Sequence, residues 1–363
     1  MTLRSMKLSI LDQSPIISGH SAAQAIEETL KLARRADELG YHRYWLAEHH
    51  AIAALADPCP EILLARLGAE TRRIRVGTGG VLLPYYSAFK VAEVFRMLEA
   101  LYPGRIDLGI GRAPGGDQRT ARAVGGGHVP DAEQFPQQVW ELLGHLDGTL
   151  PDDHPNRRVH VQPEGRTAPE VWLLGSSDYS GLLAAQLGVR FSFAHFINAQ
   201  GGDVVMRAYK ERFQARDVSA ALSDADTLGP SPREAEPHTA LCCFVVCAAS
   251  DDEAERLARV VDLRRLHMAL NQDLPVPTLA EAEKRSFSKE ELQYIRGQRA
   301  RAVIGSPESC KEKLRQLAAT YSADELMVLT ITGDYATRLE SYELLAKTFN
   351  LAGGGLTRPV ARG

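Results

Sequence analysis

Short apolar runs punctuate this chain at residues 7–12, 43–48, 74–83, 105–111, 171–175, 189–194, 239–248 and 325–331. Each reads as a strand, and apolar residues at helical spacing fill the segments between them. In the first such segment Ala25, Thr29, Leu32, Ala36 and Leu39 fall on one face. Ser21, with Gln24 three residues later, predicts a capping box at its start, and Gly40 predicts its stop. From Ala88 the pattern repeats with Val91, Val94, Phe95, Leu98 and Leu101, ending at Pro103-Gly104.

Eight strands alternating with helices predict an α/β fold, the (β/α)8 or TIM barrel, as one domain over 1–363 without internal repeats. Such a barrel needs only about 250 residues. The surplus is assigned to insertions at the C-terminal rim: residues 113–170, with one helix around Ala132–Leu146, and polar, proline-containing excursions at 216–237 and 268–303. An open doubly wound sheet is the competing architecture. Its dinucleotide fingerprint would have to be Gly109-Ile-Gly111-Arg-Ala-Pro114, with proline in place of the third glycine and on the fourth strand instead of the first.

Composition narrows the picture further. With 44% hydrophobic and 24% charged residues the chain can bury a large core. A net charge of −4 gives no reason to expect nucleic-acid or membrane partners. No apolar run approaches the roughly 20 residues that span a bilayer. Met1 to Met6 lead directly into a strand instead of a signal segment, so a cytoplasmic location is expected. The five cysteines, Cys59, Cys242, Cys243, Cys247 and Cys310, show no CxxC spacing that would suggest a disulfide framework or zinc site. Cys242, Cys243 and Cys247 read as small buried hydrophobes.

The strand tips carry the chemistry. Strand C-terminal ends of a parallel fold face one way, where ligands bind. The second strand ends in Glu48-His49-His50, the third contains Gly79-Gly80, and the fourth ends in Gly111-Arg112. Strand alternation sends His49 and His50 to opposite sides, and no HxH or HExxH pattern accompanies them. His49 is therefore a candidate for chemistry and His50 for supporting the loop or pairing with Glu48. Gly79 and Gly80 mark either a bulge or a flat surface for a planar ring. Arg112 suits an anion or reaches to solvent. After the fifth strand, Gly175-Ser176-Ser177-Asp178-Tyr179-Ser180 opens a helix, either as a phosphate cradle or through ordinary capping by Ser177 or Asp178.

Taken in order, Leu-Asp12-Gln13-Ser14-Pro15, Trp-Leu-Ala-Glu-His-His, Gly-Arg-Ala-Pro-Gly-Gly and Ala-His195-Phe resemble the bacterial luciferase-like flavin monooxygenase family along almost the whole chain. The resemblance implies a non-prolyl cis peptide at Gly79–Gly80 beneath the flavin ring. It also implies flavin contact by Arg112, phosphate binding by Ser176, Ser177 and Ser180, and His49 near the reactive edge of the ring. Gly111 stands where the luciferase subunit has a reactive cysteine, so light emission is not implied. The stretch after Arg122, through Gly125-Gly-Gly-His128, looks shortened against the family pattern.

The leading expectation is an FMN-using monooxygenase that takes reduced FMN from a separate flavin reductase and acts on a small molecule with O2. A homodimer is expected from the resemblance. F420-dependent hydride transfer, a flavin-free binding barrel and a metal hydrolase using His49 or His50 are the alternatives.

Overall fold

The computed structural model describes residues 6–112, 117–216 and 236–351. Its strands are β1 (Lys7–Asp12), β2 (Arg43–Leu46), β3 (Arg75–Thr78), β4 (Val81–Leu82), β5 (Ile106–Gly111), β6 (Glu170–Gly175), β7 (Arg190–Ala194), β8 (Thr239–Cys247), β9 (Ala302–Gly305) and β10 (Glu325–Leu329). The helices are α1 (Ala22–Leu39), α2 (Pro60–Glu70), α3 (Ala88–Leu101), α4 (Gln118–Val124), α5 (Phe135–Asp147) and α6 (Asp178–Leu187). They continue with α7 (Gly202–Arg212), α8 (Asp251–Ala269), α9 (Leu279–Lys284), α10 (Lys289–Arg299), α11 (Pro307–Thr320) and α12 (Tyr335–Thr348).

Every strand pairing is parallel, and the order β1-β2-β3-β5-β6-β7-β8-β10 returns to β1. This is the closed eight-stranded barrel with helices between its strands. Apolar residues on alternate strand positions build two layers. Leu8, Ile10, Tyr44, Val76 and Leu108 pack outward against the helices, while Leu11, Trp45, Trp172, Cys242 and Met327 belong to a second cluster that continues under α8. Buried on both faces, β8 is apolar or thiol-bearing at nearly every position. Its three cysteines are buried and free.

Local signals act as the sequence indicates at α1. Ser21 and Gln24 form the capping box, and Gly40 closes the helix with φ of 87°. Three expectations are corrected. The run 74–83 is not one strand: it breaks at Gly79–Gly80 into β3 and β4, the latter paired with β5. Leu101 is 53% exposed, because α3 rotates it away from the core that Val91, Phe95 and Leu98 fill. Finally, residues 268–303 are no irregular excursion, since they hold α9, α10 and the start of β9. β9 exists because β8 outruns the barrel: β10 pairs along Ala240–Phe244, leaving Phe244–Cys247 to pair with Ala302–Gly305.

The 113–170 insertion contains α4 as well as the expected helix. That helix opens with a 3-10 turn at Ala132–Gln134 and continues as α5. Residues 113–116, part of the Gly-Arg-Ala-Pro-Gly-Gly motif, and most of the 216–237 excursion lie outside the described residues.

The N-terminal end of the barrel is closed by charge. Arg43 (1% exposed) bonds Asp107 at 2.8 Å, Glu170 at 2.9 Å and Glu325 at 3.1 Å. Arg75 and Arg190 join the same carboxylates, and Arg43 stacks 4.8 Å from the Trp172 ring centre. Partners of both signs are present, which makes burial of these groups tolerable. The opposite end is left free for a ligand.

Candidate active site

A cavity of about 340 Å³ opens at the C-terminal mouth of the barrel. His49, Gly79, Gly80, Arg112, Ser176, Ser177 and Ser180 all line it, so the fold brings together every residue singled out for a site role.

Its floor is backbone. The Gly79–Gly80 peptide is cis, the conformation implied by the resemblance. A Cβ on Gly79 would stand 2.5 Å from Leu11 Cδ1, and one on Gly80 would stand 2.7 Å from the Gly109 carbonyl oxygen. Neither position has room for a side chain. Thr78 holds the neighbouring strand, its Oγ1 donating to the Gly109 carbonyl at 2.9 Å.

One side is built from the N-terminus of α6 and the end of β5. Ser177 is the N-cap residue of α6, yet its hydroxyl makes no capping bond. This hydroxyl, on the cavity wall, is therefore not engaged by the N–H groups of its own helix. Asp178, the other residue expected at this cap, accepts from the Tyr179 N–H at 2.8 Å. The Arg112 guanidinium stacks 4.3 Å above the Tyr179 ring, which sets a fixed positive charge beside the same helix end. Gly175 is required because Ser180 Cβ would lie 2.3 Å from any side chain there.

Across the cavity stands the tip of β2. The strand stops at Leu46, so both histidines lie past regular β geometry. Glu48 is buried and bonds His50 Nε2 at 2.7 Å, Tyr86 Oη at 2.7 Å and the Leu82 N–H at 2.9 Å. His50 thus pairs with Glu48, and this cluster ties β2 to β4. His49 instead faces the cavity, and its Nδ1 is buried without a hydrogen-bond partner. Burial, followed by the Arg264 guanidinium, pushes its pKa down to about 4 against a smaller pull from the Ala47 backbone. The imidazole is neutral at pH 7.

Two motif residues stand off the cavity wall. Asp12 accepts from Arg338, Tyr44 and the Ser14 N–H outside the mouth, leaving Gln13 as the member of its motif that lines the cavity. His195 packs edge-on against Tyr321 at 5.6 Å, while its neighbours Ala194 and Phe196 reach the cavity wall. Among the described residues no group of three or more His, Cys, Asp or Glu is placed to hold a metal ion.

Sequence reading passed over Arg264 and Arg265 on α8, which face the same mouth. The available signal was two arginines in the stripe Val261, Arg264, Arg265 and Met268, at a spacing that puts all four on one helix face.

The family profile described as luciferase-like monooxygenase matches residues 6–324. The chain is 44% identical over 347 residues to the uncharacterized protein YwcH of Bacillus subtilis (strain 168), covering 95% of this chain and 99% of that one. It is 36% identical over 343 residues to the N-acetyl-S-alkylcysteine monooxygenase of the same organism, covering 94% and 97%. The crystal structure of apo-MsnO8 superimposes with a TM-score of 0.81 at 36% identity, covering 95% of this chain and 99% of that chain.

Proposed function

This chain belongs to the luciferase-like monooxygenase family of oxidoreductases, and from that premise we propose that it is an FMN-using monooxygenase. In this reading reduced FMN comes from a separate flavin reductase, and a small organic substrate is oxygenated with O2. The observation that carries the proposal is the shared cavity. A side-chain-free Gly79–Gly80 floor, the N-terminus of α6 with its unengaged Ser177 hydroxyl, and Arg112 converge on it.

These residues fit the group. Arg112, Ser176, Ser177 and Ser180 would hold the phosphate, and Gly79–Gly80 would lie under the ring system. When bound, reduced flavin supplies the electrons that activate O2. The protein contributes shape and dryness: Leu11, Trp45, Leu174, Phe196 and Met327 give the mouth an apolar lining that excludes water. His49 adds a neutral imidazole able to donate at one nitrogen and accept at the other toward the reacting atoms. No nicotinamide fingerprint is present in the sequence, which supports a partner reductase. The protein is further proposed to act as a homodimer.

Anaerobic titration decides the cofactor. Reduced FMN should bind at least tenfold more tightly than reduced F420, and NADH should be consumed only when a flavin reductase is added. Tighter binding of F420 would replace the monooxygenase reading with hydride transfer. Binding of neither would leave a flavin-free barrel.

A further inference from the structure

A second cavity of about 330 Å³ adjoins the first, and Gln13, His49, Phe196 and Ile197 line both. Its chemistry is unlike that of the first. Apolar side chains such as Ile52, Leu55, Phe244 and Leu329 form much of the wall, while α8 contributes Arg264 and Arg265 and the turn before β9 contributes Arg301. Asp273 is its one carboxylate among the described residues, and it is engaged by the Ala53 N–H at 2.8 Å.

Arg264 is the anomaly. Among the described residues it forms no ion pair or hydrogen bond, and its Nε is buried without a partner. Other buried arginines are matched: Arg43 meets three carboxylates, and Arg338 meets Asp12. Arg265 bonds the Gln298 carbonyl, at 2.8 Å, and stacks 5.2 Å from the Phe244 ring centre. Arg301 donates to the Ile197 carbonyl. Burial, then the neighbouring guanidinium groups, lower Arg264 and Arg265 to about 10, so both stay charged at pH 7. Arg264 is half-buried, and a cation partly withdrawn from water without a counter-ion is costly unless something arrives to pair with it. His267, on the same wall, also keeps an unpartnered Nδ1.

We propose that this second cavity binds the anionic end of the substrate, an organic carboxylate on an apolar chain, with Arg264 as its principal partner. A guanidinium presents paired donors to a carboxylate, and the apolar wall accommodates the chain. The chain would run past His49 and Phe196 toward Gly79–Gly80, which puts its far end at the cofactor. That orientation rests on the flavin reading above; the acid site itself does not.

Calorimetric titration of the whole apoprotein tests it, with hexanoate and its neutral counterpart hexanamide as probes. Hexanoate should bind about tenfold or more tightly than hexanamide. Arg264→Gln should weaken hexanoate about ten- to a hundredfold, the range for losing a hydrogen bond to a charged group, and leave hexanamide and FMN within about twofold. Arg264→Met should behave alike, with thermal melts confirming that both variants fold. Equal binding of the two probes by the wild-type protein overturns the proposal, and that arm needs no variant. Discrimination that survives both substitutions overturns it too. Selective loss of FMN relative to riboflavin in Arg264→Gln would reassign the arginine to the cofactor phosphate. Arg264-dependent hexanoate binding in a protein that fails to bind FMN would sink the flavin reading and leave the acid site standing.

Discussion

Two adjacent histidines at the tip of β2 have been given opposite surroundings. His50 is fastened to Glu48, whereas His49 faces the cavity with an unpaired nitrogen and a pKa near 4. An imidazole held neutral acts through hydrogen bonds, not as an imidazolium. His49→Asn should therefore retain FMN affinity and fold while losing turnover by about 10²–10⁴-fold. His50→Asn should chiefly lower the melting temperature, because Glu48 loses a partner. Wild-type turnover in His49→Asn would make that histidine structural. A second residue-scale prediction concerns Ser177, whose hydroxyl is unused by its own helix. Ser177→Ala should weaken FMN about ten- to a hundredfold and riboflavin far less, because only FMN carries the phosphate dianion. Equal loss for both flavins, measured by fluorescence titration, would place the phosphate elsewhere.

Elements show how pattern and packing divide the work. The strand run 74–83 reads as continuous, yet it is interrupted where Leu11, Leu174 and the Gly109 carbonyl leave no room beyond backbone. The glycine pair was legible as an interruption, since two glycines within a strand signal a bulge or a close approach. β9 was not legible, because four residues become a strand only when an unpaired edge of β8 lies alongside. α8 presents a third case. Its face toward the mouth carries Arg264 and Arg265 where packing alone would favour apolar residues. Arg264→Met should raise the melting temperature, by something of order 1 kcal/mol in stability, since it removes a half-buried charge that lacks a partner among the described residues. A lowered melting temperature would mean that the guanidinium holds the helix in place.

At the scale of the whole molecule, the barrel is closed by a buried charge cluster at one end and has a glycine-backbone floor beneath the cavity at the other. Burial alone would raise the Asp107 and Glu325 carboxyl groups, but Arg43 and its neighbours overrule it and hold both below the usual carboxylate range. Stability from these groups is present above their unfolded pKa values, about 4, and is lost as pH falls further toward the folded values. His42 and His49 act earlier on the acid side: each is lowered to about 4, from 6.5, so the unfolded chain binds more protons between those values. The melting temperature should thus begin to fall below about pH 6.5 and drop more steeply below about 4. A flat profile from pH 7 to 3 would show that neither set matters. Ile62 on α2 and Met97 and Leu101 on α3 are 66%, 53% and 53% exposed, and α2 packs against α3. A second copy covering that face should give the mass of a dimer by light scattering, and Met97→Asp should halve it. A wild-type monomer at micromolar concentration would discard the dimer.

Much of this was decided by sequence alone. Local period, caps and stops specify eight barrel strands and their helices, because each depends on residues a few positions apart. Seven residues on separate strand tips could be assigned to one mouth because parallel topology collects those tips at one end. Partnership is different. That Asp12 serves Arg338, that Arg43 gathers three carboxylates, and that Arg264 meets none among the described residues are facts about residues up to hundreds of positions apart. The arginine code letter is the same in all three. Only the folded chain sets which carboxylates come within hydrogen-bond reach, and so which charges are satisfied and which are left for a ligand.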